Sequence, residues 1–203
     1  VIDWLTIQWF CSVFTIAYAL GSIPFGVLLA RMAGLGDLRK IGSGNIGATN
    51  VLRTGRKGIA VMTLLLDAGK GIAAVLLARY IYDDYSAAMA GFIAVLAHVF
   101  PVWLRFRGGK GVATALGVII ALNWLLGLIV CGIWLAAFFF MRISSLASLI
   151  SIGYSGIAAH LLEIEKAAVV CLLLAVLVIY THRGNIRRLL DGTEHVFRKS
   201  ERS

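Results

Sequence analysis

The sequence predicts an all-α integral membrane protein: a single domain, residues 1–203, folded as a bundle of seven transmembrane helices with its N-terminus outside and its C-terminus cytoplasmic. Three observations predict it. Sixty per cent of the 203 residues are hydrophobic and only 14% charged, with mean hydropathy +0.91, too apolar for a domain that faces water. The apolar residues fall in runs of bilayer length, and seven crossings at about 20 residues each leave only short connections and no separate extramembrane domain. The basic residues, 19 Lys and Arg against 10 acids, are gathered in those connections rather than spread along the chain. In a membrane protein that excess is first a topology signal, not a nucleic-acid footprint.

The first run, about 4–30, lacks a small-residue cleavage pattern and is expected to be a permanent span rather than a signal peptide. Further spans are expected at about 58–81, 86–104, 112–123, 124–141, 143–160 and 167–181. The stretch 112–141 reads in two ways, as one helix of about 45 Å or as a hairpin turning near Asn123. Charge decides between them. With the hairpin, Arg31 to Lys57, Arg105 to Lys110, Arg142 and the tail from His182 share one side and carry sixteen of the nineteen basic residues. Short cytoplasmic loops are enriched in Lys and Arg, so this side is the cytoplasm. The span 112–123 is only about 18 Å long, and a helix that stops inside the hydrocarbon needs protein or water around its ends. A polar cavity is therefore expected near its start, just after Gly108-Gly109-Lys110-Gly111. Cys11, Cys131 and Cys171 lie in apolar runs without metal-binding or redox spacing and read as buried filler.

The first internal loop contains Gly42-Ser43-Gly44-Asn45-Ile46-Gly47-Ala48-Thr49-Asn50 and, beyond it, Arg53, Arg56 and Lys57. Its glycines formally match G-x-G-x-x-G, but no strand precedes them, so a dinucleotide fold is refused. What remains is a loop that can turn its N–H groups onto an anion, with Ser43, Asn45, Thr49 and Asn50 as neutral donors and Arg53 and Lys57 as cations. Phosphate is the natural guest. The second loop, Arg105 to Thr114, lacks the hydroxyl residue that follows Gly-Lys in a Walker loop, yet joins Lys110 to Gly108, Gly109, Gly111 and a helix start. Asp67 and Lys70 share a face inside the second span, where charges are costly. They read either as a mutually neutralised pair or as site members, with Asp67 as general base. His182 and Asn185, with Arg188 or Leu189, share a face if the last helix continues into the cytoplasm; Ser144, Ser145 and Ser148 form a smaller polar patch, and His98 near Pro101 is placed to support the second loop. Arg198, Lys199 and Arg202 suit anionic headgroups.

Taken together, Gly42 to Asn50, Arg107-Gly108-Gly109-Lys110-Gly111-Val112-Ala113-Thr114 and His182-Arg183-Gly184-Asn185-Ile186-Arg187-Arg188-Leu189-Leu190 resemble the signatures of the bacterial acyl-phosphate:glycerol-3-phosphate acyltransferases, the PlsY family. The likeness extends to Asp67 with Lys70-Gly71 and to Ser145-Leu146-Ala147-Ser148, and so covers nearly the whole chain. It implies transfer of a fatty acyl group from acyl phosphate to the 1-hydroxyl of glycerol 3-phosphate, giving lysophosphatidate and inorganic phosphate. It also implies a multi-pass inner-membrane enzyme with a cytoplasmic site, no cofactor or metal, membrane lipids around it, and neither nucleic acid nor an obligate protein partner. Carried onto matching positions, Ser43, Asn45, Thr49, Ser145 and His182 gather around the acyl-phosphate headgroup, and Arg53, Lys110 and Asn185 around glycerol 3-phosphate. Residue pattern and resemblance together nominate Lys110, His182 and Asn185 as catalytic. The substrate-binding set is Ser43, Gly44, Asn45, Thr49, Arg53, Gly108, Gly109, Gly111, Ser145, Ser148 and Arg188, with Asp67, Lys70, Asn50 and Lys57 as outlying members. An acyl phosphate is already an activated anhydride, so direct attack is expected without an acyl-enzyme, the proton going to His182 or to a phosphate oxygen of the substrate.

Other classes fit less well. The His-x4-Asp motif of soluble-donor acyltransferases is absent, since Trp103, Glu165, Arg187 and Ser200 stand five residues after the four histidines. The acids are too sparse for a metal-dependent lipid phosphatase. A transporter would want polar groups from both halves at midplane, where only Asp67 and Lys70 lie.

Overall fold

The computed structural model describes residues 4–197, whose regular elements are all helices, with no strand among them. Arg198, Lys199 and Arg202, expected to meet headgroups, lie outside the described residues.

The first apolar run is not one continuous helix. The span expected at about 4–30 is present as Trp4–Met32, built from two helices, α1 (Trp4–Gly21) and α2 (Phe25–Met32). Pro24 is the cause: it has no N–H to give and disfavours helical geometry in the residue before it. The carbonyl of Ile23, which lies in the break between the two helices, accepts a hydrogen bond from Lys70 Nζ at 2.8 Å. Next come the short α3 (Ala48–Leu52), the 25-residue α4 (Lys57–Ile81) and α5 (Asp84–Val99), whose N-cap Asp83 accepts from the amide of Ser86 at 2.7 Å.

The break expected near Asn123 is present. The 11-residue α6 (Val112–Leu122) ends there and α7 (Trp124–Met141) begins, with Asn123 Oδ1 accepting from the amide of Leu126 at 2.9 Å. Arg79 of α4 reaches the exposed end of α6 and donates to the carbonyls of Ala121 (2.9 Å) and Leu122 (3.4 Å), groups that no helical turn satisfies. The chain closes with α8 (Ser144–Leu161), α9 (Glu165–Thr181) and α10 (Arg183–Leu190).

Small residues let these helices approach closely, as in membrane bundles generally. A side chain at Gly117 would overlap the backbone of Ala68, and one at Gly71 the carbonyl of Thr114, so α6 is drawn tightly onto α4. The main core joins α5, α6, α7, α8 and α9 through Val95, Val118, Leu126, Ile152 and Leu174, all fully buried.

Among the described residues, four helical stretches are long and apolar enough to cross a bilayer: Trp4–Met32, Lys57–Ile81, Asp84–Leu104 and Trp124–Met141. A fifth is formed if α9 and α10 count as one span bent by 63°. Of the other expected spans, α6 is short and α8 carries five serines.

Candidate active site

One cavity of about 570 Å³ draws its walls from all three of the segments singled out in the sequence. Ser43, Asn45, Thr49, Arg53 and Lys57 come from the first loop and its flanks, Lys110 and Gly111 from the second, and His182 and Asn185 from the start of the tail. Ser144, Ser145 and Ser148 of α8 complete the polar end.

Asn50 builds the first loop. Its Oδ1 accepts from the amide of Ser43 at 3.0 Å, while its Nδ2 donates to the carbonyls of Leu38 (2.9 Å), Ile41 (2.9 Å) and Asn45 (2.7 Å). Gly42 and Gly44, at φ 53° and 70°, supply the left-handed turns this requires. The expectation that Asn50 offers a donor to an anion is thus corrected: its amide is occupied by the loop, and it is 1% exposed. Gly44 is a turn residue outside the lining. Arg53 does face the cavity, and its Nε is buried without a hydrogen-bond partner among the described residues, a cation prepared for an anion.

In the second loop the amides of Gly108 and Gly109 donate to the carbonyls of Val99 (3.0 Å) and His98 (3.1 Å) at the end of α5. They back the site rather than line it, although both were expected in the substrate-binding set. Gly111, at φ 84°, turns the chain into α6. Between them Lys110 sends its side chain into the cavity, where Nζ donates to Asn185 Oδ1. Burial pushes this lysine down to about 8; Glu194 opposes the fall, and Arg188 and Arg53 add to it.

The tail does not continue straight from α9, as the shared-face expectation assumed. It bends by 63° at His182, which keeps His182 and Asn185 buried beside Lys110. His182 Nδ1 lies 2.8 Å from the carbonyl of Val178. A carbonyl only accepts, so Nδ1 carries the proton and Nε2 the free lone pair. Burial, then the charge of Lys110, pushes His182 down to about 4, so the ring is neutral at pH 7.

Sequence reasoning missed Glu194. Its carboxylate accepts from Ser145 Oγ (2.9 Å), Asn185 Nδ2 (2.6 Å) and Arg188 Nε (2.7 Å), and it lines the cavity. These bonds hold its carboxyl below the usual range despite partial burial. An acid among tail arginines reads as a solvated charge, so only three-dimensional proximity reveals the contact. Arg188, expected at the substrate, is bound to Glu194 on the outer side. Ser148 accepts from Trp134 Nε1 at 3.0 Å and donates to the carbonyl of Ser144.

From this polar end the cavity runs along successive turns of α4 past Ala60, Val61 and Leu64 to Asp67. Val112, Ala113 and Leu116 of α6 and Cys131, Trp134 and Leu135 of α7 form apolar walls. Cys131, expected to be filler, is a wall residue. Asp67 and His98 close the inner end. Lys70 lies behind them, 2.8 Å from Asp67 Oδ1, and does not reach the cavity.

Residues 11–192 match the family model described as glycerol-3-phosphate acyltransferase. The chain is 58% identical over 177 residues to a glycerol-3-phosphate acyltransferase of Mesorhizobium japonicum, covering 87% of this chain and 90% of the relative. It is 55% identical over 179 residues to the one from Jannaschia sp. strain CCS1, covering 88% of each. Among solved structures it resembles PlsY, an integral membrane glycerol 3-phosphate acyltransferase, in its glycerol 3-phosphate form, with TM-score 0.88 and 39% identity over 93% of this chain and 95% of that one. The lysophosphatidic acid form superposes with TM-score 0.86 at 37% identity and the same coverage. A cavity lined by Arg53, Lys57 and Lys110 among apolar helices and these matches lead to one conclusion: the chain belongs to the PlsY family of glycerol-3-phosphate acyltransferases.

Proposed function

We propose that this acyltransferase moves a fatty acyl group from acyl phosphate to the 1-hydroxyl of glycerol 3-phosphate, releasing lysophosphatidate and inorganic phosphate. The observation that carries the reading is the two-ended cavity: Arg53, Lys57 and Lys110 at one end, and the apolar faces of α4, α6 and α7 along the rest. A water-borne phosphate ester suits the first and a lipid tail the second, and an acyl phosphate needs both. Hydrogen bonds to charged groups contribute about 1.5–3 kcal/mol each, so a few of them can hold both reactants in register.

In this reading the Lys110 ammonium and Arg53 guanidinium grip the phosphates, and Asn185 fixes the direction of Lys110. Ser43, Asn45, Thr49 and Ser145 add neutral donors. The 1-hydroxyl oxygen attacks the acyl carbonyl carbon, a new C–O ester bond forms, and the bond from that carbon to the phosphate oxygen breaks. Phosphate leaves with the electron pair, and no acyl-enzyme forms. His182 Nε2, with its lone pair free, accepts the hydrogen bond of the attacking hydroxyl. Burial makes this ring a weak base, and in this reading a phosphate oxygen of the substrate takes the proton.

The same reading places seven helices in the bacterial inner membrane, α6 crossing only in part, with the basic loops and the site on the cytoplasmic side. The test is phosphate release by purified protein given glycerol 3-phosphate with either palmitoyl phosphate or palmitoyl-CoA. Release of one phosphate per acyl group transferred from palmitoyl phosphate, with no transfer from the thioester, is expected. Transfer from palmitoyl-CoA alone would overturn the donor assignment.

A further inference from the structure

Three buried ionisable groups next to the cavity have no part in the chemistry just described: Asp67, Lys70 and His98 are 2%, 4% and 5% exposed. Lys70 Nζ pairs with Asp67 Oδ1 as an ion pair, donates to the carbonyl of Ile23 and reaches His98 Nδ1, each at 2.8 Å. An ammonium only donates. His98 Nδ1 is therefore the acceptor, and the rotation of the imidazole is fixed by a lysine anchored on two further elements.

The other edge of that ring supports the second loop. A Cβ at Gly109 would fall onto His98 Nε2, and its three nearest neighbours would all be atoms of this one ring. Gly109 is not among the residues with positive φ, so its backbone accepts any side chain; the imidazole alone demands glycine there. The His98 carbonyl also accepts from the Gly109 amide, and the neighbouring Val99 carbonyl from that of Gly108. The next residue is Lys110.

We infer that His98 is a positioning residue for the acyl transfer: held by Lys70 and Asp67, its imidazole sets the seat of Gly109 and so the place from which Lys110 reaches the phosphate. The intramembrane charge pair thereby acts on the cavity through packing, not by contact with substrate. This rests on Lys110 being the phosphate-binding cation, and a displacement of about 1 Å in such a group is enough to cost on the order of a hundredfold.

The experiment is a double-mutant cycle on the full chain in detergent, with H98A, G109A and the H98A/G109A pair. KM for glycerol 3-phosphate and kcat are measured with palmitoyl phosphate, and Kd for glycerol 3-phosphate by calorimetry, which needs no donor and so separates this inference from the donor assignment. Each single variant is expected to lower kcat/KM by about ten- to a hundredfold, chiefly through KM, in the fraction that remains folded, and to lower the melting temperature, since one variant crowds the ring and the other leaves the Lys70 ammonium short of an acceptor. The pair is expected to be no worse than either single, because the methyl group that Gly109→Ala adds fills the space the ring leaves; contacting residues couple in this way. H98N, whose amide oxygen can replace Nδ1 toward Lys70, is expected to recover part of the loss and carries the test if H98A fails to fold. Parent-like KM and Kd in H98A, or in H98N where H98A does not fold, would overturn the inference. So would losses in the pair equal to the product of the two singles.

Discussion

Lys110 must carry its proton to hold a phosphate, yet the cavity that gives its charge force also weakens its hold on that proton. With the lysine pushed down to about 8, the charged form is intact below that pH and lost as pH rises through it. Since kcat/KM reports the free enzyme, we expect its profile for glycerol 3-phosphate to fall about tenfold per unit above about pH 8. The residual activity of Lys110→Arg should lack this limb, because guanidinium stays charged. Lys110→Ala should abolish turnover in a protein that still folds in detergent. For His182 the expectation is milder. If it orients the hydroxyl and phosphate takes the proton, His182→Ala should lower the single-turnover rate by about tenfold, the worth of one hydrogen bond; a fall of about 10²–10⁴ would make His182 the general base. At this scale the sequence identified which residue types gather, since Ser43, Arg53, Lys110 and Asn185 all meet at the cavity. It set Asn50 only as an outlying donor, and could not show that its amide is taken up by its own loop although the residue borders the cavity beside Asn45, because that use depends on how the loop folds back. Glu194 was hidden for the converse reason: its partners Ser145 and Asn185 lie on two other helices.

Among the helices, the short α6 with its turn at Asn123 was legible because a thirty-residue helix would have reversed the charge bias of everything after it. Asn123 closes the turn as N-cap of α7, far along the chain from the cavity-lining Val112 to Leu116. Asn123→Ala should therefore cost about 1 kcal/mol, seen as a melting temperature lower by a few degrees, with kcat unchanged. A loss of activity without a loss of stability would mean that the turn itself takes part in catalysis. The break at Pro24 and the bend at His182 were not legible, for different reasons. A proline inside an apolar run is tolerated when neighbours satisfy carbonyls left open at the break, and here Lys70, 47 residues from Ile23 in the chain, takes that of Ile23. At His182 the marks are weak: Gly184, two residues on, and the change from the apolar Val176-Leu177-Val178-Ile179 to Arg183 and Arg187.

For the molecule as a whole, the arrangement of charge reaches beyond topology. The positive loops that set the expected topology also supply Arg53 and Lys110 to the cavity, so on the proposed reading the cytoplasmic side is the side that meets the water-borne substrate. In the proposed reading the apolar walls along α4, α6 and α7 take the acyl chain of the donor while its headgroup joins those cations. The most direct test is sidedness. Sealed inner-membrane vesicles of both orientations, impermeable to glycerol 3-phosphate and loaded with palmitoyl phosphate in the bilayer, are given labelled glycerol 3-phosphate from outside. Label should enter lysophosphatidate only in inside-out vesicles, whose cytoplasmic face is exposed. Equal incorporation in sealed right-side-out vesicles would contradict a single cytoplasmic cavity shared by both phosphates.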